Sequence, residues 1–393
     1  MHISIIATGM DGTETLTLAA CKAIEQAELL IGARRLLAPY VDTGKTLLCS
    51  WKPEEIAERL REGTEQYAAV LMSGDTGFYS GTKRLLPLLS RLDVQVIPGV
   101  SSPVYLCART ELPWENMHFV SLHGTAGNIA VHVRSHEFCC FLLGGDVTAA
   151  MLCRRLCDYG LAETTVYIGE NLGSPYEAIF MGATADFCDH PVQTLCTVIV
   201  RNQNPCTYLP SGIPDSGFQR EKIPMTKAEV RCCAVSALCV GQQDICWDIG
   251  CGTGSVSVEL ALRCPKGQVF AVDRNPDAVR LTTENARRFS CDNITATEGT
   301  FPDVNLPAPD KVFLGGTGGR LADILETVYR MNPAAQVVLT AVSLETLNEA
   351  LHAFDTYGRT CEVTQIAVTR TWRIGGHTML QGLNPVYIIT TQQ

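Results

Sequence analysis

The run Trp247-Asp248-Ile249-Gly250-Cys251-Gly252-Thr253-Gly254-Ser255 constrains this chain more than any other stretch. The apolar Ile245-Cys246-Trp247 leads in, and Val256-Ser257-Val258-Glu259-Leu260-Ala261-Leu262 leads out. That is a buried strand, a tight turn, and a helix whose N-terminus faces the turn. Alternating glycines let the backbone pass close beneath a ligand, where a Cβ would clash, and the first helical amides add partial positive charge. Spacing selects the ligand. A dinucleotide turn reads G-x-G-x-x-G; here the order is D-x-G-x-G-x-G, with Asp248 two residues before Gly250. A carboxylate so close repels a pyrophosphate and suits the cationic amino group of a methionine-derived ligand. Nineteen residues after Gly254, the strand-like Gln268-Val269-Phe270-Ala271-Val272 ends in Asp273, where a carboxylate can accept both hydroxyls of a ribose.

Taken together, Asp248, Gly250, Cys251, Gly252, Thr253, Gly254 and Asp273 resemble the S-adenosylmethionine (SAM) site of class I methyltransferases. The competing reading is a structural glycine turn in some other α/β domain.

Composition narrows the class. A chain of 393 residues suggests two or three domains. Hydrophobic residues at 46% and charged residues at 18% allow large cores. Residues 223–393 carry 14 Lys+Arg against 17 Asp+Glu, and residues 1–222 carry 17 against 24. Neither half offers the basic stripe that nucleic-acid binding needs. The 18 cysteines contain no C-x-x-C pair, so zinc or iron–sulfur spacing is absent and no metal is expected. His132 and His136 share helical spacing without a third ligand and read as surface residues. No leader precedes the first strand and no apolar run approaches ~20 residues, which points to a cytoplasmic protein with reduced thiols.

Residues 1–203 alternate strand, glycine loop and helix, the pattern of an α/β sheet with a site at the strand C-termini. Helices are expected from Thr15 to about Ala27 and from Gly81 through Leu92. Residues 204–217 hold prolines 205, 210 and 214 without periodicity and read as a linker. Residues 218–393 form the second domain, closing on a late antiparallel strand from Asn384 to Thr390.

Four turns recur in order in the first half: Ala7-Thr8-Gly9-Met10-Asp11-Gly12, Ser73-Gly74-Asp75-Thr76-Gly77-Phe78, Pro98-Gly99-Val100-Ser101-Ser102, and Ser121-Leu122-His123-Gly124. The series resembles the tetrapyrrole methylase family, a two-lobed α/β fold unrelated to class I methyltransferases. The resemblance implies that Gly9, Met10, Gly74, Asp75, Phe78, Ser101, Ser102 and Leu143 line a SAM cleft. The family's usual glycine and prolines are replaced by Ala7, Met10 and Thr76. Proline at Thr76 would have set the turn's φ, so a looser loop is expected.

In the second half, Met225-Thr226-Lys227-Ala228-Glu229-Val230-Arg231, Phe313-Leu314-Gly315-Gly316-Thr317-Gly318-Gly319 and Asn384-Pro385-Val386 are similar to the decarboxylating precorrin methyltransferases. The resemblance adds Thr226 and Phe301 to the SAM contacts. Thr226 also reads as the cap of a helix starting near Lys227, with Glu229 closing a capping box. Gly316, Gly318 and Gly319 are expected to support a flat ligand, and Lys227, Arg231 and Arg320 to dock its carboxylates, with Arg370 and Arg373 as further candidates. His377 sits in a glycine-rich loop before the last strand. The two resemblances imply an α/β chain with a two-lobed tetrapyrrole methylase fold followed by a Rossmann-like class I domain. They imply one SAM per domain, methylation of (cobalt-)precorrin-6B at C5 and C15, removal of the C12 acetate carboxyl, and self-association. A class I methyltransferase for another small molecule or RNA, with an inactive first domain, is the alternative. No dedicated catalytic acid stands out.

Overall fold

A computed structural model describes residues 1–10, 13–122, 127–144, 146–191, 195–206 and 211–392. Asp11, Gly12, His123, Gly124 and Pro210, all named above, lie outside the described residues. The chain forms two compact units.

The first unit comprises Met1–Thr125, Phe138–Met151 and Thr165–Arg201. Its strands β1 (His2–Ala7), β2 (Leu29–Gly32), β3 (Thr46–Cys49), β4 (Tyr67–Met72) and β5 (Asp93–Ile97) make a parallel sheet in the order β3-β2-β4-β1-β5. Successive side chains leave a strand on opposite faces. Ile3, Ile5, Ile31 and Val70 therefore pack on one side with Ile56 and Leu60 of the helix Pro53–Glu62. Ile6, Leu30 and Leu71 pack on the other with Ala20 and Ile24 of the helix Leu18–Gln26. That helix begins later than Thr15 because Thr17 caps it, accepting from the Ala20 amide. The expected helix through Leu92 is a single turn, Thr82–Leu85, followed by a 3-10 turn, Leu86–Leu89, where Pro87 lacks the amide a longer helix would use. A second sheet holds β6 (His118–Ser121), β7 (Phe138–Leu142), β8 (Thr165–Glu170), β9 (Ala178–Ala183) and β10 (Cys196–Arg201) in the order β6-β7-β10-β8-β9.

The second unit comprises Ala126–Glu137, Leu152–Thr164 and Asn202–Gln393. Its sheet runs β13-β12-β11-β14-β15-β19-β16. The strands are β11 (Ile245–Ile249), β12 (Gln268–Asp273), β13 (Ile294–Glu298), β14 (Lys311–Leu314), β15 (Gln336–Ala341), β16 (Cys361–Ile366) and β19 (Val386–Thr391). β11 to β15 are parallel, while β19 runs antiparallel to β15 and β16. The order reverses between β11 and β14, which opens a crevice beyond their C-terminal ends. Within this unit the helix Ala130–Ser135 buries Val131 in the core with Val235 and Val269. The Asp292 carboxylate accepts the Ile129 and Val131 amides at 2.7 and 3.1 Å. His132, read above as a surface residue, is buried, and its carbonyl accepts from His136 at 2.9 Å.

A hairpin of β17 (Thr369–Ile374) and β18 (His377–Gly382) was not expected. Gly375 and Gly376, at φ +53° and +87°, form its two-residue turn, and His377 opens the return strand rather than sitting in a loop.

Candidate active sites

The second unit's crevice is a cavity of about 660 Å³. Its wall includes Thr226, Lys227, Gly250, Cys251, Gly252, Asp273, Arg274, Phe301, Gly316 and Gly318. Asp273 ends β12 and organises the floor, accepting the Gly252 amide at 3.0 Å and the Asn275 amide at 2.9 Å. Each carboxylate oxygen keeps a further lone pair for a ligand hydroxyl. Phe301 is almost fully buried against Trp247, with ring centroids 4.9 Å apart.

The glycines do more than admit a ligand. At Gly250, φ +74°, an added Cβ would lie 2.7 Å from the Gly316 nitrogen; at Gly254, φ +72°, one would lie 2.7 Å from the Thr282 side chain. The turn therefore packs backbone to backbone against the loop after β14. A Cβ added at Gly316 would meet nothing within 4 Å, so the wall is open at that point.

Asp248, Thr253 and Gly254 do not reach the wall. Asp248 is fully buried beneath the turn and accepts a hydrogen bond from the Ser257 hydroxyl, while its Oδ1 makes none. Direct contact with a ligand's amino group is thus corrected to support from below. Burial pushes the Asp248 carboxyl from 3.8 up to about 7, against the opposing Ser257 hydrogen bonds. Between those two values the folded chain holds a proton that the unfolded chain has released. This contribution is full below the ordinary value and falls by ~1.4 kcal/mol per pH unit as pH rises toward and through the upper one. Asp248→Asn should flatten the fall in thermal midpoint between pH 5 and 7.5, relative to wild type without ligand. An unchanged pH slope contradicts the assignment.

Two docking candidates are corrected. Arg231 has no exposed surface. It donates to Glu259 at 2.6 Å, to the Thr226 carbonyl at 2.6 Å and to the Ile213 carbonyl, so it holds the core and cannot meet a substrate. Arg320 is held by Asp303 at 2.7 Å and Asp323 at 3.1 Å, and neither it nor Gly319 lines the cavity. The capping box is also absent. The Ala228 amide donates to Asp215 at 3.0 Å, and Glu229 pairs with Arg370 at 2.7 Å. Lys227 does line the cavity. Arg274 was overlooked, although its place directly after Asp273 at a strand end was signal enough.

The first unit has its own cavity of about 360 Å³, and all eight expected residues of that half line it: Gly9, Met10, Gly74, Asp75, Phe78, Ser101, Ser102 and Leu143. Gly9 and Gly74 exchange backbone hydrogen bonds of 3.0 and 2.9 Å and join the loops after β1 and β4. Both adopt positive φ, +66° and +70°. Asp75 accepts from the Gly77 amide at 2.8 Å and the Gly99 amide at 2.9 Å, fastening a third loop to the second. Thr76 is buried and its hydroxyl reaches the Ile97 carbonyl at 3.4 Å, a tie that proline could not make. Ala7 fits because Gly99 has no side chain; a Cβ there would come 2.7 Å from that of Ala7. Arg35 in the helical turn Arg34–Leu37, Asn171 just after β8 and Thr197 in β10 also line the cavity and were missed because they lie far in sequence from the turns that were read; Tyr79, directly after Phe78, was missed as well.

Residues 217–393 match the family profile of precorrin methyltransferase domains, and residues 2–187 that of tetrapyrrole (corrin/porphyrin) methylases. A curated relative in Pyrobaculum calidifontis, a probable cobalt-precorrin-6B C(15)-methyltransferase (decarboxylating), is 44% identical over 188 residues, covering 47% of this chain and 96% of the relative. The chain belongs to the decarboxylating precorrin methyltransferase family. A Salmonella typhi relative, a cobalt-precorrin-6B C(15)-methyltransferase (decarboxylating), is 36% identical over 175 residues, covering 44% of this chain and 91% of its own length. Among solved structures, the precorrin-6y C5,15-methyltransferase of Geobacter metallireducens is 37% identical with a TM-score of 0.44, covering 46% of this chain and 97% of that one. Membership makes the chain a methyltransferase. Its SAM fits the second cavity by chemistry: paired carboxylate lone pairs on Asp273, a glycine turn with exposed backbone, and an open wall at Gly316.

Proposed function

We propose that the chain methylates (cobalt-)precorrin-6B at C5 in its first unit and at C15 in its second. The second unit also removes the C12 acetate carboxyl as carbon dioxide, giving (cobalt-)precorrin-8. The observation that carries this reading is the presence of two separate glycine-floored cavities, one in each unit, each with an aspartate tying its loops together. We assign one SAM to each. The assigned domains are residues 1–203 and 218–393, joined by 204–217.

When bound, SAM supplies an electrophilic methyl group to an electron-rich ring carbon. In the second unit, Asp273 accepts the ribose hydroxyls, Phe301 supports the base, and the Gly250–Gly252 turn brings backbone close to the methionine portion. Gly316 and Gly318 leave room for a flat macrocycle, and Lys227 and Arg274 are the cations of the described wall. Fixing the two partners in line supplies a large share of the rate, and the apolar wall of Ile249, Val272 and Ile324 keeps water away. Decarboxylation draws on the same desolvation.

The test is incubation of the full chain with SAM and cobalt-precorrin-6B, followed by mass spectrometry. The expected product has gained two methyl groups and lost one carbon dioxide. One methyl with carbon dioxide loss removes the first-unit activity from the reading, and an unchanged substrate removes both. We further place the chain in the cytoplasm; among the described residues no helix is long and apolar enough to cross a membrane. We also assign it to a homo-oligomer. Trp372, Ile374, Met379 and Leu380 on the hairpin are each half or more exposed, an apolar surface suited to a second copy. A solution mass of one chain by light scattering contradicts that assignment.

A further inference from the structure

We propose that Asp215 is a positioning residue for the second unit's reaction: it holds the Thr226–Lys227 corner of the cavity wall without itself lining the cavity. The inference rests on the function proposed above, with Lys227 as a cation that meets the tetrapyrrole's carboxylates.

Residues 212–215 lie in the proline-bearing stretch that reads as a linker, yet they belong to the second unit. Ile213 is buried in the same core cluster as Val230 and Ala234. The Gly212 and Ile213 amides donate to Glu259 at 3.2 and 3.0 Å. That anchoring delivers Asp215 to the start of the helix Ala228–Ala237. A helix leaves its first amides without partners of its own, and a side chain at the N-cap position commonly accepts one of them. Here the N-cap position is Lys227, whose side chain has no acceptor. Asp215 caps the helix from outside, accepting the Ala228 amide on Oδ1 at 3.0 Å. Its Oδ2 faces the Lys227 Nζ and the Arg370 Nη2, each at 3.7 Å, and its Oδ1 faces the Arg231 Nη1 at 3.4 Å. One carboxylate therefore holds both the backbone that follows Lys227 and the ammonium at the end of its side chain. On the other side, Arg231 donates to the Thr226 carbonyl at 2.6 Å.

What is held is a piece of the wall. Pro224, Met225, Thr226, Lys227 and Val230 line the second cavity, and Asp215 does not. The same segment abuts the glycine turn, since a Cβ added at Gly252 would lie 2.7 Å from the Pro224 carbonyl oxygen. A lysine side chain gives up much rotamer freedom on meeting a ligand, and one already held gives up less. The Asp215 side chain is only 18% exposed, so solvent and salt weaken its ion pairs less than those of an open surface. A carboxylate that merely neutralised Lys227 would have the opposite effect on binding, because its removal would tighten the hold on an anionic ligand.

The experiment titrates cobalt-precorrin-6B and SAM separately into the full chain by calorimetry, and follows C15 methylation with carbon dioxide loss. Asp215→Ala should weaken tetrapyrrole binding and raise its KM about five- to tenfold, the loss expected for a helix cap and one charge pair, with kcat within about twofold. Asp215→Asn keeps an acceptor for the Ala228 amide and loses the charge, so it should fall between Asp215→Ala and wild type; it also carries the test if the alanine variant does not fold. SAM affinity should stay within about twofold throughout. In a Lys227→Met background, Asp215→Ala should weaken tetrapyrrole binding less than it does alone. Unchanged or tighter tetrapyrrole binding in Asp215→Ala, an equal loss for SAM, or full additivity with Lys227→Met overturns the assignment. A wild-type chain that does not bind the tetrapyrrole, or a Lys227→Met chain that binds it as wild type does, instead defeats the reading on which it rests.

Discussion

Arg231→Ala is expected to cost the second unit about 3–5 kcal/mol, because it strands a buried carboxylate. Glu259 has no exposed surface. It accepts the Gly212 amide at 3.2 Å, the Ile213 amide at 3.0 Å and the Arg231 guanidinium at 2.6 Å, with Arg263 farther off at 3.8 Å. Removing Arg231 also frees the carbonyls of Ile213 and Thr226, and so loosens the segment that lines the cavity at Thr226 and Lys227. The guanidinium further stacks over Phe218, 4.8 Å from its ring centre. The measurement is the thermal midpoint of the second unit's transition. A companion double variant, Arg231→Met with Glu259→Leu, should recover most of the loss, since replacing both charges leaves neither unpaired. An Arg231→Ala protein as stable as wild type, with tetrapyrrole affinity reduced, would restore the docking role rejected here.

Asp273→Ala is expected to remove SAM from the second unit and leave it in the first. The lost side chain takes away two charge-assisted acceptors for a ribose, each worth about 1.5–3 kcal/mol, so affinity should fall by roughly 10²- to 10⁴-fold. It also releases the Gly252 amide from its 3.0 Å tie and with it the shape of the turn. Titration calorimetry should count one SAM per chain instead of two. Carbon dioxide loss and C15 methylation should vanish while C5 methylation persists. Two undiminished binding events would falsify the ribose assignment.

The second cavity was legible as far as local spacing reaches. A strand, three glycines at alternate positions and an acid at the next strand end specify a crevice at the sheet's switch point, since all of these lie within one β-α-β unit. The first cavity was legible by a different route, a resemblance carried by four turns in a known order, and each of the eight residues expected to line it does so. What failed was the reading of individual charges. Arg231 and Arg320 look alike in sequence, yet one is sealed in the core with Glu259 and the other is clamped at the surface by Asp303 and Asp323. Their carboxylate partners at 259 and 303 lie 28 and 17 residues away, beyond any local pattern. Asp248 was expected to face a ligand because it stands near the turn; side chains alternate along a strand, and the sheet's packing put this one under the turn.

From the amino-acid order alone came the fold class, both glycine-floored sites and the acid that ends β12, because each depends on backbone conformation and on residues close in the chain. Only the tertiary structure decided which cations face a cavity, that Thr226 does not cap the helix after it, and that Arg35 and Tyr79 both line the first cavity. Those outcomes depend on which distant segment arrives beside a side chain, and burial with pairing is a property of the neighbour as much as of the residue. The run from Asp248 to Gly254 shows both: its glycines were readable as a turn, and the Gly316 backbone and Thr282 side chain that make two of them necessary came from elsewhere in the fold.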